Sequence, residues 1–249
     1  MKLLVDFGNT RLKWATLTQA HMQAGGVFAH VERPLAAALR SEWAALHRVE
    51  AVFVASVVGA AREDELAACI RERFHLDAQF LRSPSYALGV RNAYAEPARL
   101  GIDRFLGLAA LQAERPRAQV LVSVGTALTV DALAPDGIHH GGVIVASPRL
   151  MREALLGATA RVGNADGHWR ELPSSTADAV FAGALYAAAG AVDRFRSAAA
   201  LRLGAPPALL LTGGGADELD ALLPDAERVH DLVLRGLALW AADAAGTAD

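Results

Sequence analysis

The chain uses one folding plan twice. Near the amino terminus a run suited to a buried strand, Lys2 to Asp6, enters the turn Gly8-Asn9-Thr10 and returns as Leu12 to Leu17. In the second half Val120 to Val124 enters the turn Gly125-Thr126 and returns as Leu128 to Leu133, with a third strand from Gly142 to Val145. Asp6-Phe7-Gly8-Asn9-Thr10 and Ser123-Val124-Gly125-Thr126 stand at corresponding ends of their first strands, the mark of an internal duplication. A strand-rich unit repeated with helices between the strands predicts an α/β protein of two similar halves.

The remaining elements fit that plan. Gly26 to His30 reads as a third strand, Pro34 to Leu46 as a helix, and the β-branched run Ala51 to Val57 as a fully buried strand. Glu63 to Phe74 has helical spacing, with Leu66, Ile70 and Phe74 on one face. The helix Ile102 to Ala113 lies between the halves, and Pro116 with its charged neighbours interrupts the pattern, giving expected domains of 1–115 and 116–249. In the second half Ser147-Pro148 supplies an N-cap and first-turn proline for a helix through Leu156. Ser175 with Asp178 caps a long alanine-rich helix, Ala208 to Leu211 is a last strand running into Thr212-Gly213-Gly214-Gly215, and Leu232 to Ala242 is a terminal helix.

Composition narrows the function. The 249 residues are 53% hydrophobic and 20% charged with net charge -3, which supplies a sizeable core and lacks the basic footprint of a nucleic-acid or anionic-membrane binder. Asp6 cuts the amino-terminal apolar run, and no predominantly apolar run reaches the roughly 18 residues of a membrane span. The single cysteine, Cys69, reads as core filler, and no Cys/His cluster has zinc spacing, so a soluble cytoplasmic protein is expected. His139-His140 reads as an exposed loop pair with no third ligand.

Three glycine-bearing turns follow buried strands: Gly8-Asn9-Thr10, Gly125-Thr126 and Gly213-Gly214-Gly215. Glycine lets backbone N–H groups approach an anion, so such turns suit phosphate, and they also serve as ordinary tight turns. Neither the P-loop pattern nor the dinucleotide fingerprint is present. Asp6 suits either a turn cap or a ligand for hydrated Mg²⁺, and Lys13 either a solvated strand face or a transferring phosphoryl group. Lys2 and Lys13 are the only lysines among 24 basic residues, so Lys13 stands out in a chain that otherwise uses arginine. In Gly101-Ile102-Asp103-Arg104 the carboxylate suits a helix first turn or a general base, and the guanidinium a surface pair or an anionic substrate.

Taken jointly, several motifs resemble type III pantothenate kinase. They are Asp6-x-Gly8-Asn9-Thr10-x-x-Lys13-Trp14, Tyr94 ahead of Gly101-Ile102-Asp103-Arg104, Gly125-Thr126-Ala127-x-Thr129-x-Asp131, Gly141-Gly142-Val143-Ile144 followed by Pro148, and Ser175-Thr176 before an apolar helix. The order and spacing match from end to end. The resemblance implies the duplicated ribonuclease H-like fold of actin and hexokinase (the actin-like, or ASKHA, fold), with two similar α/β halves and an interdomain cleft. It implies ATP-dependent phosphorylation of pantothenate, the first committed step of coenzyme A synthesis, with Mg²⁺ and a homodimer.

Carried over by position, the resemblance implies that Asp6, Phe7, Gly8, Asn9, Thr10, Arg11, Leu12 and Lys13 hold ATP, with Asp6 toward Mg²⁺ and Thr126 as a second nucleotide contact. Tyr94, Gly101, Ile102, Asp103, Arg104 and Thr176 would bind pantothenate, with Asp103 as general base and the long helix at the dimer interface. Many members carry an aspartate, a ligand for K⁺ or NH₄⁺, where this chain has Ser123. A hydroxyl brings no formal charge, so weak or absent monovalent-cation dependence is expected. Two other readings share these features: an inactive regulatory protein of the same fold, against which Asp6, Lys13, Asp103 and Arg104 argue, and a kinase for another small hydroxylated substrate, for which Tyr94 and Thr176 discriminate.

Overall fold

The computed structural model describes residues 1–31, 34–158 and 167–246. The chain divides into two compact units, Met1–Arg115 joined by the segment from Asp231 onward, and Pro116–His230.

The first unit contains β1 (Lys2–Phe7), β2 (Arg11–Thr18), β3 (His21–Ala29), α1 (Leu35–Glu42), β4 (Ala51–Ser56), α2 (Ala60–Phe74) and β5 (Ala78–Phe80). A two-stranded ribbon of β6 (Tyr86–Ala87) and β7 (Val90–Arg91) precedes α3 (Ile102–Glu114). The sheet order is β3-β2-β1-β4-β5, with β1 antiparallel to β2 and parallel to β4. Strand alternation then assigns every β1 side chain to a face. Leu3, Val5 and Phe7 join Leu12, Trp14, Leu35, Leu39, Trp43, Leu66 and Ile70 in a core under α1 and α2. Lys2, Leu4 and Asp6 have the opposite parity, and the Lys2 ammonium donates to the carbonyl of Ala241, in the terminal helix that packs on β1 and β4. At this strand position parity, not exposure, carries Asp6 to the face covered by the terminal helix.

The second unit repeats the topology. It contains β8 (Gln119–Val124), β9 (Ala127–Leu133), β10 (His139–Ala146), α4 (Pro148–Ala158), α5 (Thr176–Leu203), β11 (Ala208–Thr212) and β12 (Glu227–Arg228), with sheet order β10-β9-β8-β11-β12. Val120, Val122 and Val124 pack with Leu128, Val130, Leu185, Ala188, Val192, Leu209 and Leu211 in its core. Ser123 therefore has the strand position and parity that Asp6 has in the first unit. The Ser175 hydroxyl accepts from the Asp178 N–H at 3.2 Å, and Ser147 Oγ accepts from the Leu150 N–H at 3.3 Å, so both expected caps form.

One boundary differs from the sequence expectation. The second unit ends at His230 rather than at 249, because α6 (Leu232–Gly246) packs on α3, β1 and β4 of the first unit. Gly236 makes the α3–α6 approach possible: a Cβ there would lie 2.3 Å from the Leu106 carbonyl oxygen. Among the described residues no helix is long and apolar enough to cross a membrane.

Candidate active site

The first-unit site is assembled by one strand pair and two helix starts. The register of β1 and β2 sets Asp6 directly opposite Lys13, so both side chains leave the sheet on the same face. Asp103 lies in the first turn of α3, and Asp231 immediately precedes α6. Burial first, then the charges of Asp103 and Asp231, with Lys13 opposing them, together push the Asp6 carboxyl up to about 7. The Lys13 ammonium is 3.8 Å from Asp231 Oδ1. Asp103, Asp231 and Lys13 thus all lie within electrostatic reach of the Asp6 carboxyl. Asp231 escaped the sequence reading because an Asp before an apolar helix signals only a cap.

Asp103 is held by its own helix start. Its Oδ1 accepts from the Arg104 N–H at 2.8 Å, in the first turn of α3. A Cβ on Gly101 would sit 2.5 Å from that oxygen, so glycine leaves room for the carboxylate to fold back over the first turn. Arg104 is buried, and its Nη1 donates to the Tyr94 hydroxyl at 3.0 Å. Asn92 sets the Tyr94 loop: its Oδ1 accepts from the Tyr94 N–H at 3.0 Å while its Nδ2 donates to the carbonyls of Pro84 and Pro97. That brace was invisible in the sequence, where Asn92 has no motif.

The first glycine turn closes with the Gly8 N–H donating to the Arg11 carbonyl at 3.1 Å. Asn9 and Arg11 are exposed and Thr10 is half-buried. Phe7 and Leu12 are not: both are fully buried in the first core. Their place in the expected ATP-binding stretch is packing beneath the turn, because strand parity turns their side chains toward α1 and α2. Ile102, expected at the substrate, is likewise buried.

In the second unit Thr126 occupies the turn between β8 and β9, and its carbonyl accepts from the Ser147 hydroxyl at 2.8 Å. Ser147 thereby ties the turn to the start of α4. The Gly213 loop lies against the same strand end: Gly213 has φ +101°, a Cβ there would lie 2.3 Å from the Val124 carbonyl oxygen, and the Gly215 N–H donates to that oxygen at 3.0 Å. Ser123 pairs with Thr129 on one side and Thr212 on the other, aligning three hydroxyl residues across the sheet. Thr176 is the first residue of α5 and is exposed. His139 departs from the sequence expectation of an exposed loop. It begins β10, is buried, and lies 2.8 Å through Nε2 from Asp131 Oδ1, because the bulge between His139 and Gly142 turns it inward. Among the described residues no group of three His, Cys, Asp or Glu side chains is arranged to hold a metal ion.

Two sheets of the same strand order and sense, each with a glycine turn after its first strand, define the duplicated α/β fold of the actin-like ATPases and ASKHA kinases. Solved structures agree on the fold. The activator of 2-hydroxyisocaproyl-CoA dehydratase from Clostridium difficile with bound ADPNP superposes with TM-score 0.53 at 14% identity, over 99% of this chain and 96% of that one. The ethanolamine utilization protein EutJ from Carboxydothermus hydrogenoformans gives TM-score 0.53 at 13% identity, over 96% and 89%. The family model described as type III pantothenate kinase matches residues 2–198. Type III pantothenate kinase from Xanthomonas euvesicatoria pv. vesicatoria (strain 85-10) is 43% identical over 244 residues, covering 97% of this chain and 98% of the relative. The protein of the same name from Xanthomonas campestris pv. campestris (strain 8004) is 42% identical over 243 residues, covering 97% and 98%. The chain belongs to the type III pantothenate kinase family.

Proposed function

We propose that this type III pantothenate kinase transfers the γ-phosphoryl group of ATP to pantothenate with Asp103 as the general base. The observation that supports this most is the convergence of Asp6, Lys13 and Asp103 in the first unit, with Arg104 and Tyr94 hydrogen-bonded beside the base. Asp103 takes the proton of the substrate hydroxyl as its oxygen bonds to phosphorus and the bond to the ADP oxygen breaks. Its orientation is fixed in advance by the Arg104 N–H. Lys13 balances charge on the transferring group as a compact ammonium. Arg104, backed by Tyr94, binds the pantothenate carboxylate, with Thr176 as a further substrate contact. The Gly8–Thr10 turn with Arg11 and the Thr126 turn hold the nucleotide phosphates.

The donor set fits Mg²⁺ brought in with ATP. Asp6 is a half-buried carboxylate among two others and one lysine, and a nucleotide-bound Mg²⁺ needs only one or two protein carboxylates. Asp6 would hold it, and the ion would neutralise phosphate charge. At the second turn Ser123, Thr129 and Thr212 offer hydroxyls without formal charge, which supports weak dependence on K⁺ or NH₄⁺.

A homodimer in the cytoplasm completes the reading. Its support is the surface between α4 and α5, where Met151, Arg152, Leu155, Val180 and Gly183 line a mainly apolar depression of about 330 Å³, together with Tyr186 and Leu201, exposed elsewhere along α5. Purified protein incubated with MgATP and pantothenate should yield phosphopantothenate by mass. Asp103→Asn should abolish turnover while ATP still binds, since the amide keeps the shape and cannot take the proton. Near-parental kcat in that variant would overturn the base assignment.

A further inference from the structure

Behind the first glycine turn lies a hydrogen-bonded chain that no motif announces. His30, the residue after β3, is buried, and its ring packs edge-on against Phe7 with centroids 4.8 Å apart. Its backbone N–H donates to the Thr10 carbonyl at 3.2 Å, and its Nε2 lies 2.8 Å from the Gly8 carbonyl oxygen. One residue thus grips both arms of the turn. On the far side of the ring, Nδ1 lies 2.7 Å from Arg62 Nη2, and Arg62 is held in the first turn of α2 by Glu65.

These contacts determine the tautomer. A guanidinium has donors and no acceptor, so His30 Nδ1 accepts from Arg62 and the ring proton sits on Nε2. Nε2–H then donates to the Gly8 carbonyl. In a trans peptide the C=O and the following N–H point in opposite directions, so anchoring the Gly8 carbonyl inward turns the Asn9 N–H outward. An outward backbone N–H in a glycine turn is the group that meets a phosphate oxygen.

We propose that His30, locked as its Nε2–H tautomer by Arg62, is a positioning residue that holds the Gly8–Asn9 peptide in its phosphate-binding orientation. The inference rests on the reading of Gly8–Thr10 as the ATP phosphate turn. His30→Phe keeps the aromatic packing on Phe7 and loses the donor, whereas His30→Gln keeps an N–H within reach of the Gly8 carbonyl. Steady-state kinetics should show KM for ATP raised about tenfold in His30→Phe, the size expected from losing one oriented hydrogen bond, with KM for pantothenate unchanged. His30→Gln should return KM for ATP to within about threefold of the parent. In ¹⁵N-resolved spectra of the parent, the His30 ring should show the Nε2–H form, and Arg62→Leu should convert it to a tautomer mixture with an intermediate rise in KM for ATP.

Parental KM for ATP in His30→Phe, equal defects in the Phe and Gln variants, or an Nδ1–H ring in the parent would each overturn the proposal. Should His30→Phe fail to fold, Arg62→Leu decides: an unchanged KM for ATP overturns it. Asn9→Pro, which removes the phosphate-facing N–H itself, separates the two levels. A raised KM for ATP there with none in His30→Phe leaves the phosphate-turn reading standing and removes the role of His30. Silence in both removes the phosphate-turn reading itself.

Discussion

At the scale of single residues, the electrostatics of Asp6 and Ser123 differ because equivalent strand positions carry different chemistry. Asp6 ionises near 3.8 in an unfolded chain and at about 7 in the folded one, so folding is penalised increasingly as pH rises between those values. Asp6→Asn should therefore melt higher than the parent in the absence of nucleotide, with a gap that is larger at pH 8 than at pH 5. Thermal melts of both proteins at the two pH values check this, and an equal gap would mean that the carboxyl is not shifted. Ser123→Asp restores a charge where only hydroxyls line up. Attraction between unit charges at contact is about 1 kcal/mol in water and about 4 at an effective dielectric near 20, enough to matter at millimolar cation. Initial rates against K⁺, in a buffer of bulky organic cations, should show the activation curve of Ser123→Asp moved to lower K⁺, or a dependence on K⁺ that the parent lacks. These residues were legible beforehand because each sits inside a motif. Asp231, His30, Asn92 and Ser147 act through hydrogen bonds or charge contacts to residues distant in the sequence, and spacing does not reveal such partners.

At the scale of elements, strand parity does most of the sorting. The alternation in β1 sends Phe7 into the core and Asp6 to the face where α3 and α6 begin, so neighbours in sequence have unrelated roles. Close packing of α3 on α6 depends on Gly236. Gly236→Ala would gain up to about 1 kcal/mol of helix propensity but places a methyl 2.3 Å from a backbone oxygen, and overpacking of that kind costs about 1–3 kcal/mol or more. The clash wins, because the obstacle is helix backbone that has to move as a unit. Urea unfolding of Gly236→Ala should show a lower midpoint than the parent, and an equal or higher midpoint would mean that the helices part at little cost.

At the scale of the whole molecule, the proposed homodimer, with α5 at its interface and Thr176 reaching the partner subunit's active site, makes a specific demand. Asp103→Asn and a Thr176→Ala variant, each inactive alone, should regain part of the parental activity when mixed under conditions that allow subunit exchange. A monomer at assay concentration with full activity would refute it. The repeated hairpins, the order of the longer strands and helices and both helix caps were readable from local patterns, since hydrophobic period, glycine turns and capping residues act over a few positions, whereas the short strands β5, β6, β7 and β12 carried too few residues to show a period. The motifs likewise singled out Asp6, Lys13, Asp103 and Arg104 as candidate site residues. What the sequence did not show is where distant segments dock. The apolar residues of α6 require burial against something, and burial is non-directional, so the pattern alone placed the helix with the nearer half. Only the tertiary packing, through Gly236 against Leu106 and α6 against β1 and β4, returned it to the first unit and set Asp231 beside Lys13.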